Sequence, residues 1–397
     1  MKILHITTDD MGGAGLCCLR IHQSLLEQGI ESKVVTLCNT QNVKEEYEYG
    51  RLQNFFSKLF SKLLRIFGLT ITERNQVMKL CGQNGATYSL PCSSIDLSSC
   101  KWIEWADVVH LHWVNNYLDY SSFFKKVEKP IVWTLHDENF FFGVAHYSNT
   151  VIADNPLEIK YSKIKQDILY RVKKLSVVLL SEYFYNKFKN HSLLKGRHVK
   201  VINNAIDVNK FKPIDMKDAR KRLGLSPDDI LIGFTASIIT DKRKGLDVLR
   251  QTVEKLANPR LKILAIGSNP EQASYPNVIS IGAQKGSEAI SVALSAANFF
   301  AMPSYQEAFA QSPMEAMACG LPVVVFPVSG TSELVNESNG VICDDFTLEA
   351  LKKGIETVMN RNYAPETIRQ YVINRFSPET IISDYIDIYK ESLDTDC

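Results

Sequence analysis

Neither sign of charge is in excess in this sequence, which has 45 Lys and Arg residues against 44 Asp and Glu residues among its 397. A near-neutral chain is a poor ligand for polyanionic nucleic acid, so no nucleic-acid partner is expected. The sequence also lacks an apolar run of the ~18 residues that a membrane span requires. Its start, MKILHITTDD, predicts a strand followed by two acids rather than a signal peptide.

Paired cysteines are missing as well. The nine cysteines are an odd number and include no Cys-x-x-Cys pattern, which indicates reduced thiols and a cytoplasmic location. Cys17, Cys18, Cys38 and Cys319 fall in apolar or helical segments, where a thiol behaves as a small hydrophobe. No metal is expected either, because the only Asp-x-Asp pattern lies in the terminal tail, at 394–396.

Residues 297–326 predict a strand, a loop, a short helix and a second strand. Ser312 is expected to be the N-cap of the helix, with Pro313 in the first helical position and Glu315 completing a Ser-x-x-Glu capping box. Gly320 is expected to end the helix in a left-handed conformation. A loop that runs into a helix start forms an anion site, because unpaired amides and the helix dipole face the loop.

Two glutamates lie in this segment, Glu307 in the loop and Glu315 in the helix. A carboxylate repels a pyrophosphate but accepts hydrogen bonds from sugar hydroxyls, so a site for a sugar is one interpretation. The alternative is that Glu315 only caps its helix and that Glu307 is a solvated loop residue.

A glycine cluster, Gly12 to Gly15, follows the first predicted strand, Lys2 to Thr8. Glycines between a strand and a helix, here Gly13 and Gly15, let the backbone approach a phosphate or a sugar closely. A plain tight turn is the alternative. The pattern is not the dinucleotide fingerprint, because a third glycine is missing at the required offset.

Two further predicted strands end in histidine: residues 107–112 end at His112, and residues 130–135 are followed by His136 and Asp137. Ligands of open α/β sheets bind at the carboxyl ends of the strands, so these side chains are site candidates. A hydrogen-bonded structural histidine is the alternative for His136, and it is the favoured one for His112 and His146.

Residues 51–67 predict a basic amphipathic helix. Such a helix suits an anionic membrane surface, and a helix packed on the sheet with a solvated basic face is the alternative. The basic stripe consists of Arg51, Lys58, Lys62 and Arg65, and the apolar side of Leu52, Phe55, Phe56, Leu59, Phe60, Leu63, Leu64 and Phe67.

The run EAFAQSPMEAMACGLPVV resembles the two-glutamate motif of retaining glycosyltransferases of family 4. The runs VVHLHWVNNYL and IVWTLHDENFFFGVAHY resemble a subgroup that builds bacterial surface polysaccharides. The resemblance implies an α/β protein of the GT-B fold, with two Rossmann-like doubly wound domains that face each other across a cleft. Its implied partners are a nucleotide diphosphate sugar as donor and a glycan or glycolipid as acceptor, with no cofactor and with the inner face of the cytoplasmic membrane as a peripheral location.

The resemblance also assigns residues. Lys244 matches the family's lysine before a glycine, whereas Ala236 and Ser237 stand where the family has a glycine and an arginine, so Arg243 is a guessed replacement. The implied catalytic residues are His136, Lys244 and Glu307, and the acceptor-side candidates are His112, Asp137 and His146. The implied donor-binding residues are Gly13, Gly15, Ser237, Arg243, Lys244, Ile281, Gly282, Glu307, Ala308, Phe309, Ala310 and Glu315.

The chain is too long for one ordinary core, and the expected domains are residues 1–200 for the acceptor and 201–375 for the donor. Residues 376–397 are expected to form a helix that returns to the first domain. Two other functions stay open: a nucleotide-sugar epimerase or hydrolase on the same fold, and a glycan-binding or nucleotide-binding protein that has lost the chemistry.

Overall fold

The structure is a computed structural model that describes residues 1–51, 55–56, 73–84 and 86–394. The chain divides into two units. The first contains Met1–Leu180, Phe184–Ile202 and Ile382–Cys397, and the second contains Ser181–Tyr183 and Asn203–Ile381.

The first unit is built on seven strands: β1 Lys2–Asp9, β2 Glu31–Cys38, β3 Glu46–Glu48, β4 Val108–Leu111, β5 Ile131–Leu135, β6 Leu175–Leu179 and β7 Val199–Val201. They are all parallel and lie in the order β3-β2-β1-β4-β5-β6-β7. Every residue of β4, β5 and β6 is buried, as a parallel sheet covered by helices on both faces requires. The helices that follow these strands are α1 Gly12–Glu27, α2 Glu73–Asn84, α3 Lys101–Trp105, α4 Tyr120–Lys126, α5 Pro156–Leu169 and α6 Glu182–Phe188.

The second unit is built on six parallel strands: β8 Ile230–Ile238, β9 Leu261–Ser268, β10 Val278–Ser280, β11 Phe299–Met302, β12 Val323–Val325 and β13 Gly340–Ile342. Their order is β10-β9-β8-β11-β12-β13. The helices are α7 Met216–Leu223, α8 Leu246–Leu256, α9 Ser287–Ser295, α10 Gln311–Ala318, α11 Leu348–Asn360 and α12 Pro365–Phe376. In α8 the buried residues Leu246, Leu249 and Val253 recur at helical spacing and pack in the core of this unit.

The last helix, α13 Pro378–Asp394, adds most of its length to the first unit, as the sequence predicts. Its buried side meets the sheet partly through hydrogen bonds. The hydroxyl of Tyr389 lies 2.7 Å from Nδ1 of His110, and the hydroxyl of Tyr385 lies 3.1 Å from that of Thr134. Because these groups are buried, each would lose a hydrogen bond if the helix were removed.

The predicted basic helix over 51–67 falls almost entirely outside the described residues. Arg51 is described and forms an ion pair with Glu48 at 3.1 Å, and Phe55 and Phe56 are exposed. Among the helices that the structure describes, none is both long and apolar enough to cross a membrane.

The thiols are free at all eight cysteines in the described ranges. Cys17, Cys18 and Cys319 are buried, which fits the expected role as small hydrophobes, whereas Cys38 at the end of β2 is exposed.

The two sheets share one topological feature that positions ligands. The strand order reverses between β1 and β4 in the first unit and between β8 and β11 in the second. At such a switch point the connections leave in opposite directions, which opens a crevice at the carboxyl ends of the strands. Each unit therefore has one favoured place for a site.

Candidate active site

At the switch point of the second unit, Lys244 and Glu307 form an ion pair, with Nζ of the lysine 2.5 Å from Oε1 of the glutamate. Lys244 ends the 3₁₀ turn Lys242–Lys244, which follows β8, and Glu307 lies in the loop after β11. These two predicted catalytic residues are 63 positions apart in the chain and meet because β8 and β11 are neighbours in the sheet.

Backbone contacts hold the lysine turn against the glutamate loop. Gly245 adopts φ +78°, and a Cβ atom there would lie 2.1 Å from the carbonyl oxygen of Pro303, so only glycine fits. The amide of Tyr305 also donates to the carbonyl of Arg243 at 2.8 Å. The place of Lys244 relative to the glutamate loop is therefore set by the backbone and not only by the ion pair.

Arg243 is held by its own turn. Its Nη2 lies 2.7 Å and its Nε 3.2 Å from the carboxylate of Asp241, which also accepts from the Arg243 amide as the N-cap of the turn. A ligand anion at Arg243 would have to compete with this two-point contact.

The predicted capping box in the glutamate segment is wrong. Helix α10 begins at Gln311, and its N-cap is Ala310, which makes no side-chain cap. Ser312 and Pro313 are the second and third helical residues, where a proline is tolerated because amides of the first turn have no intrahelical partner. The predicted left-handed residue after the helix is confirmed, since Gly320 has φ +82°.

Glu315 is thus an interior residue of α10 and is buried. Ala308, Phe309 and Ala310, which lead into the helix, are buried as well, and the ring of Phe309 lies 6.2 Å from that of Phe376. Because these side chains pack inward, residues 308–310 can contact a ligand only through their backbone groups.

The other donor-side candidates lie where β8, β9 and β10 end. Gly282, which follows Ile281 in the chain, has φ +72°. Its carbonyl oxygen accepts a hydrogen bond from the amide of Gly267 at 3.1 Å. Ser237 is in the exposed end of β8, and its carbonyl oxygen accepts a hydrogen bond from the hydroxyl of Ser268. These contacts join three strand ends at one edge of the sheet.

In the first unit, the predicted glycine loop is shorter than expected. Helix α1 already begins at Gly12, so Gly13 and Gly15 lie in its first turn and not in a loop. A Cβ atom on Gly15 would lie 2.6 Å from the carbonyl oxygen of Asp9, so this glycine lets the helix start close to the end of β1.

All four histidine and aspartate candidates of the first unit line one cavity of about 30 Å³, a volume that suits a water molecule or a single hydroxyl group. Among the other lining residues is Asn115, whose buried Oδ1 accepts no hydrogen bond from the described residues. The cavity offers a polar position for one oxygen-bearing group. The candidates at its wall are His112, His136, Asp137 and His146.

Asp137 is fixed by three donors: Nδ1 of His146 at 2.5 Å, Nε1 of Trp113 at 2.9 Å and the amide of Asn139 at 2.9 Å. Burial alone would raise the pKa of this carboxyl, but His146 and the other donors outweigh burial and lower the pKa below its ordinary value. Asp137 is therefore an ionised, fully engaged group and not a general base.

Sequence reasoning missed Ser89, whose hydroxyl lies 2.8 Å from Nε2 of His146. Ser89, His146 and Asp137 have the hydrogen-bond order of a serine-hydrolase triad. Ser89 is buried, with 2% of its surface exposed, so its hydroxyl does not reach a substrate carbonyl and the arrangement orients Asp137. No local pattern marks Ser89, because its partner is 57 positions away.

A row of three histidines runs from His136 at the cavity to the buried His112 and His5 in the core. Nδ1 of His112 lies 3.1 Å from Nε2 of His136, and Nε2 of His112 lies 3.1 Å from Nδ1 of His5. Burial lowers the pKa of His136 to about 4 against a partial opposing effect of Asp137, and it lowers the pKa of His5 and His112 well below the ordinary value. The three rings are neutral at physiological pH.

His5, His110 and His112 also bring one nitrogen each within 4.8 Å of the others, a spacing that a metal ion would tolerate. The group has no carboxylate, so a bound dication would be buried without a compensating charge. Both nitrogens of His110 are already engaged, by Tyr389 at 2.7 Å and Thr134 at 2.8 Å. The donor set does not favour a metal.

A larger cavity of about 730 Å³ lies in the second unit, but at the other edge of the sheet. It is lined by Ile230 and Phe299, the first residues of β8 and β11, and by Pro322, which precedes β12. Lys244 and Glu307 belong to the carboxyl edge, where ligands of such sheets bind, so the larger cavity is not the donor site.

Comparison with known proteins concerns the part of the chain that contains the switch-point residues. The sequence model of the family Glycosyl transferases group 1 matches residues 229–361, which contain Lys244, Glu307 and Glu315. The resemblance to glycosyltransferases inferred from the sequence is therefore confirmed for this part of the second unit.

Individual relatives extend the comparison. The chain is 27% identical over 257 residues to the capsular polysaccharide biosynthesis glycosyltransferase CapM of Staphylococcus aureus, a match that covers 58% of this chain and 66% of CapM. The chain thus spans just under two thirds of the length of this curated relative.

Solved structures match nearly the whole chain. Sucrose-phosphate synthase from Thermosynechococcus elongatus has a TM-score of 0.70 at 18% identity, with 98% of both chains covered. HepE of Anabaena, in complex with UDP and glucose, has a TM-score of 0.66 at 19% identity, with 98% of this chain and 99% of that chain covered. At these identities the likeness shows the fold, and the predicted GT-B fold is confirmed.

Proposed function

We propose that this protein is a retaining, metal-independent glycosyltransferase. It moves a sugar from a nucleotide diphosphate donor to a hydroxyl of a glycan, carried on a membrane lipid, in the synthesis of a cell-surface polysaccharide. The observation that carries the proposal is the Lys244–Glu307 ion pair at the switch point of the second unit.

The second unit supplies the groups that a nucleotide sugar needs. Lys244 offers a cation for the diphosphate, and the amino terminus of α10 adds the positive end of its dipole. Glu307, oriented by Lys244, accepts hydrogen bonds from hydroxyls of the sugar. Glu315 receives the ribose, and the strand ends at Ser237, Ile281 and Gly282 flank the base.

The first unit supplies neutral and anionic groups that bind hydroxyls. His136 is neutral and binds a hydroxyl of the sugar that is transferred, and Asp137 keeps a fixed negative charge beside it. The acceptor hydroxyl attacks the anomeric carbon from the face that the diphosphate leaves. The bond to the diphosphate breaks, the departing phosphate oxygen takes the acceptor proton, and Lys244 stabilises the charge that develops.

A panel of nucleotide sugars, tested with and without glycolipid acceptors, examines the proposal through release of the nucleoside diphosphate. Release that requires an acceptor, with the anomeric configuration of the donor kept in the product, is the expected result. Release without an acceptor would identify a hydrolase, interconversion of sugars an epimerase, and tight nucleotide binding without turnover a binding protein. Glu307→Gln, which keeps the shape of the side chain, serves as the matched low-activity control.

We also propose that the protein works at the inner face of the cytoplasmic membrane, where lipid-linked acceptors are available. The support is the basic, amphipathic composition of residues 51–67 in the sequence.

A further inference from the structure

The histidines His5, His112 and His136 form an unbroken hydrogen-bonded row from the core of the first unit to its cavity. The two contacts, Nδ1 of His5 to Nε2 of His112 and Nδ1 of His112 to Nε2 of His136, are both 3.1 Å long. Four of the six ring nitrogens face another ring, and a fifth, Nε2 of His5, is buried without a hydrogen-bond partner in the described ranges. The sixth, Nδ1 of His136, has no hydrogen-bond partner among the described residues, and its ring lines the cavity.

The number of ring protons links the protonation of Nε2 of His5 to that of Nδ1 of His136. Three neutral imidazoles carry three ring protons, and the two contacts between rings use two of them. If His5 donates to His112, then His112 must donate to His136, because each ring has one N–H and one bare nitrogen. The third proton therefore sits either on Nε2 of His5 in the core or on Nδ1 of His136 at the cavity, and never on both.

We propose that the buried environment of His5 places the third ring proton on His136. His5 and His112 thereby hold His136 in the tautomer that presents Nδ1–H to the cavity. A proton on Nε2 of His5 would be a buried N–H without an acceptor, and orphaned buried N–H groups are rare in native proteins. With the proton at the other end, every ring N–H either donates to a neighbouring ring or faces the cavity.

This assignment deepens the proposed function, on which its consequence for catalysis rests. His136 becomes a hydrogen-bond donor, so the cavity selects a ligand oxygen that presents a lone pair. A ligand that presents a hydrogen instead would force all three rings to change tautomer and would leave His5 with the orphaned N–H. His5 and His112 are therefore positioning residues, although they contact no ligand themselves.

One effect opposes the assignment, since a free imidazole prefers to carry its proton on Nε2. The tautomer must therefore be measured directly. We suggest ¹⁵N-histidine labelling of the full-length, ligand-free protein and long-range ¹H–¹⁵N NMR spectra of the rings at pH 7, in which protonated and bare nitrogens have well-separated shifts. The chain has eight histidines, so single substitutions suffice to assign His136.

The expected wild-type result is a protonated Nδ1 and a bare Nε2 on His136. His5→Leu leaves the buried Nε2 of His112 without an acceptor, so a proton there would again be orphaned and Nδ1 of His136 should stay protonated. His5→Asp places a carboxylate, which accepts and does not donate when ionised, beside Nε2 of His112. Both contacts between the rings should then reverse, the proton of His136 should move to Nε2, and kcat/KM should fall about tenfold, the equivalent of one lost hydrogen bond. His22→Asn is the matched control, because His22 is also buried but bonds Ser32 and the Lys44 carbonyl outside the row.

A protonated Nε2 on His136 in the wild-type protein would overturn the inference. So would a tautomer of His136 that changes in a folded His5→Leu variant, that does not change in a folded His5→Asp variant, or that changes in the control His22→Asn. The spectra need no substrate, so the expected tautomers without any transferase activity would refute the proposed function alone.

Discussion

Replacing Lys244 by alanine is the most direct test of the donor site, because it removes the cation that pairs with Glu307. The change leaves the backbone of the turn intact, since Gly245 and the contact between Tyr305 and Arg243 hold it in place. We therefore expect a folded enzyme with impaired donor use.

The magnitude follows from the geometry. At an effective dielectric constant of about 20, two charges 2.5 Å apart attract each other by roughly 6–7 kcal/mol. The cost of desolvating the two ions offsets most of this attraction. Both side chains are mostly buried, with 24% and 11% exposed, so screening by solvent is incomplete. A single charge-assisted contact to the diphosphate should be worth about 1.5–3 kcal/mol, or roughly 10- to 150-fold in kcat/KM.

The loss has two parts, which a double-mutant cycle separates. Lys244→Ala removes the contact to the diphosphate, and it also leaves the Glu307 carboxylate unpaired beside an anionic ligand. In the Lys244→Ala background, Glu307→Gln should therefore cost less than it does alone, with a coupling of about 0.5–3 kcal/mol. The assay is steady-state release of the nucleoside diphosphate, with melting temperatures to confirm folding.

Lys242→Ala is the matched control, because Lys242 is an exposed lysine in the same turn. Its activity should be near that of the wild type, and Arg243→Ala should matter less than Lys244→Ala, since Asp241 already holds Arg243. Lys244→Ala within about twofold of the wild type, or costs that simply add in the double variant, would refute the reasoning.

Three further predictions concern stability, the ribose and the membrane. The free energy of unfolding should fall as the pH drops from 6.5 towards 4, since histidines with a lowered folded pKa bind protons more readily when unfolded, by up to about 1.36 kcal/mol per pH unit each. Glu46, whose pKa burial raises to about 7, acts in the opposite direction, so Glu46→Gln should steepen the fall, and a flat urea-denaturation profile over this range would contradict the expectation. Glu315→Gln should raise the donor KM tenfold or more, whereas Ser312→Ala in the same helix should not, and unchanged donor kinetics would leave Glu315 a structural residue. Anionic vesicles should bind the protein, with a loss of up to ~1 kcal/mol for each charge removed, and binding insensitive to salt would exclude this surface. The charges to replace by glutamine are Arg51, Lys58, Lys62 and Arg65. The histidines of the first prediction are His5, His22, His110, His112, His136 and His191.

The long elements of the fold could be predicted from the sequence, whereas three of its four short edge strands could not. The sequence predicts a strand over Glu31–Cys38 and a helix over Pro365–Phe376, and β2 and α12 have these bounds, because an apolar run and a proline at the helix start mark them clearly. Strands β3, β7 and β13 have three residues each, too few to show a period, and they form only because a neighbouring strand offers hydrogen bonds.

The candidate site could likewise be predicted only in part from the sequence. Histidines at strand ends and the lysine before a glycine are visible in the sequence, but their contacts depend on strand order. The Ser312 capping box shows the limit of local patterns: its letters fit, yet the extended chain at Ala310 starts the helix earlier. Ser89 and His5 enter their networks through partners 57 and 107 positions away, which no local pattern reveals.

The return of α13 to the first unit has a consequence for synthesis on the ribosome. Ile202 and Ile382, which bound the gap in the first unit, are 180 residues apart (382 − 202), so translation at ~5–20 residues per second leaves the unit incomplete for about 9–36 s. During that interval His110 and Thr134 lack their tyrosine partners, and the sheet face that α13 covers is bare. The nascent first unit therefore exposes this sheet face, and the polar groups of His110 and Thr134, until residues 382–394 have been made.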